Sequence, residues 1–525
     1  MSVRALETVA KADDGRPVGN PRSARVRRSA GLVLPWLAAL AALVAWSLAS
    51  PAGSSPDDNF HLPSIWCAAG TDDVRCLPIE GNDEARVVPD EVAGAPCFAF
   101  KADVSGQCQA PFGKTTGPNV GTDFGNWNGL YPPGFHRVMH VFVGDSVASS
   151  VLRMRLANSV LLLVMLASLT YLLPRRLRII PAMTVLLTAV PLGLSIYASS
   201  NPSSWALISA ATVWVSFHAA LQVEGRRRLG LVALGLVGAV LGASARSDQA
   251  LFTVLAIGVV LLARLPWFIG DPGQRWERIR ASGVVLLGAG LAALISAWGF
   301  LAGDQSSAVS GGLATSAGGS WWDLTRHNAL GLPTVWFGAL GYGDQGTIGW
   351  LDTRFPAVVG FGALFAWVAV MFGQWRGISR ARGAAMGVLL LAMAVYPLYL
   401  LAVSGATIGT QFQPRYVLPL LIVFTGFSLL GRKRWLHHGP WQRWALVVAL
   451  SIAQSFALFT QIRRYTTGTD VPGFNLNKDT EWWWPVGGLL SPNGVWLIGS
   501  VAFAGLVWWM LGRRTAFGVQ RASGK

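Results

Sequence analysis

The chain has 525 residues, of which 52% are hydrophobic and 13% charged, and its mean hydropathy is +0.44. Soluble domains carry about 25% charged residues, so this composition excludes a cytosolic enzyme and a disordered scaffold and defines a polytopic membrane protein. The net charge of +16 raises nucleic-acid binding as an explanation, but the distribution of that charge accounts for it otherwise, and no nucleic-acid partner is expected.

A spanning helix needs about 20 mostly apolar residues. The hydropathy pattern predicts an all-α polytopic protein of about twelve such helices. They lie near 30–50, 156–173, 179–199, 203–222, 229–243, 249–264, 281–301, 356–373, 384–404, 414–431, 444–460 and 493–511. The fifth and sixth are short, and could form one tilted pair or a re-entrant element. Residues 1–29 form a basic tail expected to be disordered, 30–511 the transmembrane domain, and 512–525 a second basic tail.

With both tails in the cytoplasm, the inner segments hold 28 of the 42 Lys and Arg but 6 of the 26 Asp and Glu. This is the positive-inside pattern. It orients the chain with three long segments outside: about 51–155, 302–355 and 461–492. Chemistry is therefore expected on the extracytoplasmic face.

The first outer segment opens with Ser55-Pro56-Asp57-Asp58-Asn59-Phe60-His61. Two adjacent carboxylates at the edge of a low-dielectric medium suit general-base work, because repulsion and desolvation raise one pKa. They could also hold a divalent cation, or form a solvated acidic turn. All four cysteines follow: Cys67, Cys76, Cys97 and Cys108. Their even number on the oxidising side reads as two disulfides, with sequential pairing giving the smallest loops. A zinc site is the alternative, though no CxxC spacing occurs.

Further on, Tyr131-Pro132-Pro133 precedes Gly134-Phe135-His136, an interfacial stretch whose Tyr131 and His136 could anchor the chain or touch substrate. Arg246 and Asp248 separate the fifth and sixth helices and could simply pair. Segment 303–320 is rich in Gly, Ser and Ala and reads as a flexible strap. Gly349-Trp350-Leu351-Asp352 precedes the eighth helix, and Gln413-Pro414-Arg415-Tyr416 opens the tenth. An arginine beside the bilayer core is either functional or snorkelling. At a helix N-terminus its natural ligand is a phosphate. Trp321, Trp322, Trp336 and Trp482–Trp484 could stack on sugars or form a membrane belt.

Taken together these motifs resemble a bacterial membrane family called domain of unknown function 2142. Pro56-Asp57-Asp58 with His61 looks like its Pro-Asp-Glu…His signature. Tyr131-Pro132-Pro133, Asn201-Pro202-Ser203, Gly349-Trp350-Leu351-Asp352 and Gln413-Pro414-Arg415-Tyr416-Val417-Leu418-Pro419 are similar to four further motifs, in the same order. Three positions depart from the family pattern: Asp58 replaces Glu, Ser203 replaces Asp, and Pro414 replaces Gly.

The family is similar to the GT-C glycosyltransferases. The resemblance therefore implies a GT-C-like fold and a donor sugar carried on a polyprenyl phosphate. It implies catalysis by Asp57 and Asp58, and substrate binding by His61, Tyr131, Trp350, Asp352, Arg415 and Tyr416. The expected acceptor is an envelope glycan, glycolipid or protein. A transporter or flippase for lipid-linked glycans, and a non-catalytic assembly factor, are the alternatives. Transporters tend to place ionisable groups at the bilayer midplane, whereas the notable residues here sit at the outer rim.

Overall fold

The structure, a computed structural model, describes residues 21–70, 76–109, 119–270, 272–301, 303, 321–375, 377–409, 412–430, 439–484 and 490–512. Of the strap at 303–320, residues 304–320 lie outside the described residues, as do residues 1–20 and 513–525 of the two tails. The first helix, α1 (Pro21–Leu48), begins well before the position expected from hydropathy.

A small cap follows. It consists of α2 (Asp58–Trp66), strands β1 (Leu77–Ile79) and β2 (Asn82–Pro89), the single turn α3 (Asp90–Ala93), and strand β3 (Asn119–Thr122). The antiparallel sheet has the order β1-β2-β3, with Leu77 opposite Val87 and Val88 opposite Val120. These strands are an addition to the expected all-α architecture. Disulfides Cys67–Cys76 and Cys97–Cys108 staple the cap in the sequential pairing. The first ties the end of α2 to the start of β1.

Helix α4 (Gly134–His140) leads into α5 (Val147–Leu172). Then come α6 (Ile180–Ala189), α7 (Leu192–Tyr197), α8 (Ser203–Ala220), α9 (Gly225–Ala245), α10 (Ser247–Ile269), α11 (Pro272–Ala281) and α12 (Gly283–Leu301). The chain continues with α13 (Trp321–Gly338), the hairpin β4 (Thr347–Ile348) and β5 (Thr353–Arg354), α14 (Ala357–Gln374), α15 (Arg380–Ser404), α16 (Pro414–Leu429), α17 (Pro440–Thr466) and α18 (Pro492–Val507). A π-helical turn, Trp508–Gly512, extends α18.

Among the described residues, eight helices are long and apolar enough to cross a membrane: α5, α9, α10, α12, α14, α15, α17 and the extended α18. The other four expected spans correspond to the apolar part of α1, to α6 with α7, to α8 and to α16. The span at 179–199 is divided because Pro191 has no N–H to continue the α6 ladder. Every residue of α8 is buried, and in α16 every residue but Tyr416. These two helices are enclosed by protein rather than lipid, which is why Ser, Thr and His residues are tolerated along α8.

Two expectations are corrected. The fifth and sixth spans are full helices of 21 and 23 residues, α9 and α10. They are joined at Arg246, whose extended backbone breaks the run. The first loop ends at Val147 rather than near 155, so Arg155 lies inside an apolar helix.

Candidate functional site at the first-loop end of the bundle

The acidic turn sits where α1 ends. Asp57 is the N-cap of α2, in the left-handed region at φ 56° and ψ 23°. Asp is one of the few residues with a side chain that visit this region without large cost. The conformation directs two neighbouring carboxylates to different places. Asp57 stays half-exposed, and its Oδ2 meets Arg415 Nη2 at 2.5 Å. Asp58 is fully buried: its Oδ2 accepts from the Ser55 amide at 2.9 Å, and its Oδ1 from the Ser200 hydroxyl at 2.9 Å. Burial pushes the Asp58 carboxyl up to about 6, against the opposing charge of Arg155 and its hydrogen bonds from Ser55 and Ser200.

Three other elements hold this turn. Asn201 donates to the Pro56 carbonyl at 2.6 Å, and its own side-chain oxygen accepts from Ser203 N at 2.8 Å. Trp350 Nε1 donates to the Gly53 carbonyl at 2.9 Å. Arg155 donates from Nη1 to the Ser47 and Ser50 carbonyls, and from Nη2 to the Pro51 carbonyl and Ser54 Oγ, at 2.6–3.1 Å. Arg155 thereby satisfies carbonyls that the end of α1 leaves without helical partners. Sequence reasoning missed this residue because it assigned Arg155 to the loop. The available signal was an arginine, the second of the pair Arg153 and Arg155, at the edge of a long apolar run.

Asp352 lies behind the turn. Its Oδ2 pairs with Arg464 Nη2 at 2.7 Å, and both side chains are buried. Arg464 also donates to the Phe98 carbonyl at 2.7 Å, which fastens the cap to α17. The preceding Gly349 has φ +65°, and a Cβ there would meet the Tyr465 hydroxyl at 2.8 Å, so the turn before Trp350 requires glycine. Trp350 and Asp352, both expected to bind substrate, are thus engaged with protein groups.

Arg415 lies at the start of α16 and is 4% exposed. Besides Asp57, Nη2 donates to the Tyr416 hydroxyl at 3.0 Å, while Nε and Nη1 find no protein partner among the described residues. The guanidinium of Arg415 lies 5.0 Å from the Tyr416 ring, and that of Arg246 lies 4.7 Å from the same ring. Arg246 and Asp248 do pair, through two bonds of 2.9 and 2.8 Å, and Tyr396 donates to Asp248 at 2.9 Å. Arg246 also faces the Tyr131 ring at 6.0 Å.

His61 packs edge-on to Tyr131, and its Nδ1 lies 3.2 Å from His136 Nε2. Burial holds both imidazoles below the usual histidine range, His136 at about 3; the neighbouring His136 ring and the charges of Arg415 and Arg246 push His61 further the same way. Both rings are neutral at pH 7, so one donates its N–H to the other. Burial likewise pushes Tyr131 up to about 12. Asp57, Arg415, Tyr416, Tyr131 and His61 therefore share one site, with His136 as an added member.

Of the tryptophans, Trp484 donates to the Leu48 carbonyl and Trp336 to the Met393 carbonyl, while Trp321 and Trp322 are exposed. No group of three or more His, Cys, Asp or Glu side chains that could hold a metal occurs among the described residues. A divalent cation on Asp57 and Asp58 fits poorly: both Asp58 oxygens have donors, and Asp57 already neutralises a guanidinium.

The fold and site define a polytopic membrane protein with a charged, partly buried site where the first loop meets the helices. The chain belongs to the family described as "Predicted membrane protein (DUF2142)", whose model matches residues 40–424. No curated protein matches it. Among solved structures it is similar to ArnT from Cupriavidus metallidurans. The form bound to undecaprenyl phosphate is 12% identical, with 92% of this chain and 78% of that chain covered and a TM-score of 0.41. The apo form is 13% identical, with coverage of 93% and 78% and a TM-score of 0.43.

Proposed function

We propose that the protein is an inverting GT-C-type glycosyltransferase working on the extracytoplasmic face of a bacterial plasma membrane. Its donor is a sugar on a polyprenyl phosphate, and its acceptor an envelope glycan, lipid or protein. The observation that carries this reading is the contact between Asp57 and Arg415. A half-exposed carboxylate stands beside a buried guanidinium, two of whose nitrogens have no protein partner among the described residues. A group transfer from a phosphate needs these two functions side by side: a proton acceptor and a fixed cation for the leaving anion.

In this mechanism the acceptor hydroxyl gives its proton to Asp57, and its oxygen bonds to the anomeric carbon. The bond from that carbon to the phosphate oxygen breaks with its electron pair, leaving polyprenyl phosphate on Arg415. Single displacement inverts the anomeric centre. Asp58 acts as a positioning residue, since Ser55 and Ser200 occupy both its oxygens. Tyr131, His61 and Tyr416 line the sugar and phosphate side. Trp350 acts from behind by holding the turn, and Asp352 by pairing with Arg464, which fastens the cap. No step passes through a metal ion.

The test uses purified protein in nanodiscs with a panel of polyprenyl-phosphate sugars and an envelope-glycan extract, read by mass spectrometry as release of polyprenyl phosphate. Release by the wild type and its loss in Asp57→Asn is the expected result. Donor binding that depends on Arg415 without any turnover would instead make the protein a transporter or assembly factor.

A further inference from the structure

Two guanidiniums approach the ring of Tyr416, and their counter-ions are held very differently. Arg246 is gripped by Asp248 through two hydrogen bonds, and Asp248 is itself fixed by the Tyr396 hydroxyl. This pair is largely buried, with side chains 10% and 15% exposed. Arg415 has a single contact with Asp57, through Nη2. The arginine side chain is 3% exposed, but that of Asp57 is 43% exposed. Asp57 also stands on a left-handed backbone position in the turn that opens α2. One counter-ion is built in; the other reaches in from the rim.

A buried guanidinium beside a second one needs an anion, because an unpaired buried cation costs several kcal/mol. Asp57 supplies that anion while no ligand is present. Yet two Arg415 donors, Nε and Nη1, remain without protein partners among the described residues. A single carboxylate held at one nitrogen leaves the guanidinium fork unfilled, whereas phosphate oxygens can fill it.

Building on the glycosyltransferase reading, we infer that Asp57 is a displaceable counter-ion, which the phosphate of an incoming polyprenyl lipid replaces on Arg415. While Asp57 neutralises Arg415 it is tied up as a proton acceptor. Phosphate binding releases it, so the base is freed when the donor is in place. The donor then binds before the acceptor, and a wasted deprotonation without donor is suppressed. The exchange makes and breaks no covalent bond: one anion replaces another on the same cation.

The consequence runs opposite to the usual expectation for a residue in a binding site. Removing the Asp57 charge should tighten phosphate binding, since the ligand no longer competes with an internal anion. The probe is a fluorescent short-chain isoprenyl monophosphate, with the matching isoprenol as the uncharged control, titrated into full-length protein in nanodiscs. Asp57→Asn is expected to bind the phosphate about tenfold more tightly than wild type, the equivalent of about 1.4 kcal/mol, with the alcohol unaffected. Asp57→Glu should bind near the wild-type level, and Arg415→Ala should lose the preference for phosphate over alcohol. Asp57→Ser repeats the test if the Asn variant melts early. Equal or weaker phosphate binding by both neutral variants overturns the exchange, as does binding of the phosphate no better than the alcohol by wild type. The outcome is separable from the transferase reading. Tightening in Asp57→Asn with no turnover of any donor by the wild type leaves the exchange standing and removes the transferase, and turnover by the wild type without tightening in Asp57→Asn does the reverse.

Discussion

The side-chain amide of Asn201 donates to the carbonyl of Pro56 at 2.6 Å, across 145 residues of chain. Its oxygen caps the start of α8 through Ser203 N. One side chain thus ties the acidic turn to the most deeply buried helix of the bundle. Replacing it with Ala leaves the Pro56 carbonyl and the Ser203 amide buried without partners. Asn201→Ala should therefore lose about 1–3 kcal/mol of stability, read as a lowered melting temperature by intrinsic tryptophan fluorescence. Asn201→Asp should be no better, because it sets an acceptor against the Pro56 carbonyl.

Arg155 has a larger effect in prospect. Its guanidinium bridges the end of α1 and the following turn with four hydrogen bonds, inside an apolar helix. Arg155→Ala removes the donors of three carbonyls and one hydroxyl. The expected loss is about 3–5 kcal/mol, visible as poor yield of folded protein and early unfolding in detergent. Arg155→Lys cannot reproduce the fork and should fall between the two. Unchanged melting in Arg155→Ala would refute this bracing role.

Asp58 makes stability depend on pH in a defined direction. Its carboxyl is raised from 3.8 to about 6 in the folded protein by burial. Between those values the unfolded chain binds fewer protons at this group than the folded one, so stability falls as pH rises. The contribution is complete below about 3.8 and gone above about 6, and amounts to on the order of 2–3 kcal/mol. Asp58→Asn should flatten the profile of melting temperature across this window. A wild-type profile that rises through the same window, and rises less in Asp58→Asn, would contradict the assignment.

Trp350 and Asp352 separate bracing from sugar contact. Trp350→Phe keeps an aromatic ring but loses the bond to Gly53, so bracing predicts a loss of about 1 kcal/mol with a matching fall in turnover. A sugar platform would keep its stability and change KM instead. Asp352→Ala leaves Arg464 buried without its counter-ion and should cost about 3–5 kcal/mol, measured as loss of the cooperative melt. A small change there would show that the Phe98 and Val104 carbonyls suffice for Arg464.

Composition and hydropathy alone determined that the chain is a polytopic membrane protein, because burying so much apolar surface in lipid is the outcome its charge content allows. The Cys pairing was legible because short loops favour near neighbours. The residues of the site were legible as motifs: Asp57, Asp58, His61, Tyr131, Arg415 and Tyr416 stood out as polar groups at helix ends. Their division of labour was not. Adjacent in sequence, Asp57 and Asp58 look equivalent. The left-handed turn at Asp57 sends one to Arg415, 358 residues away, and buries the other beneath Ser200. Nor does hydropathy distinguish a helix faced by lipid from one enclosed by protein, which is why α8 and α16 read as ordinary spans. The partners of Arg155, Asn201 and Asp352 all come from distant elements. Local sequence sets which groups need a partner; tertiary packing decides which partner each one meets, and so which carboxylate is buried and which stays half-exposed.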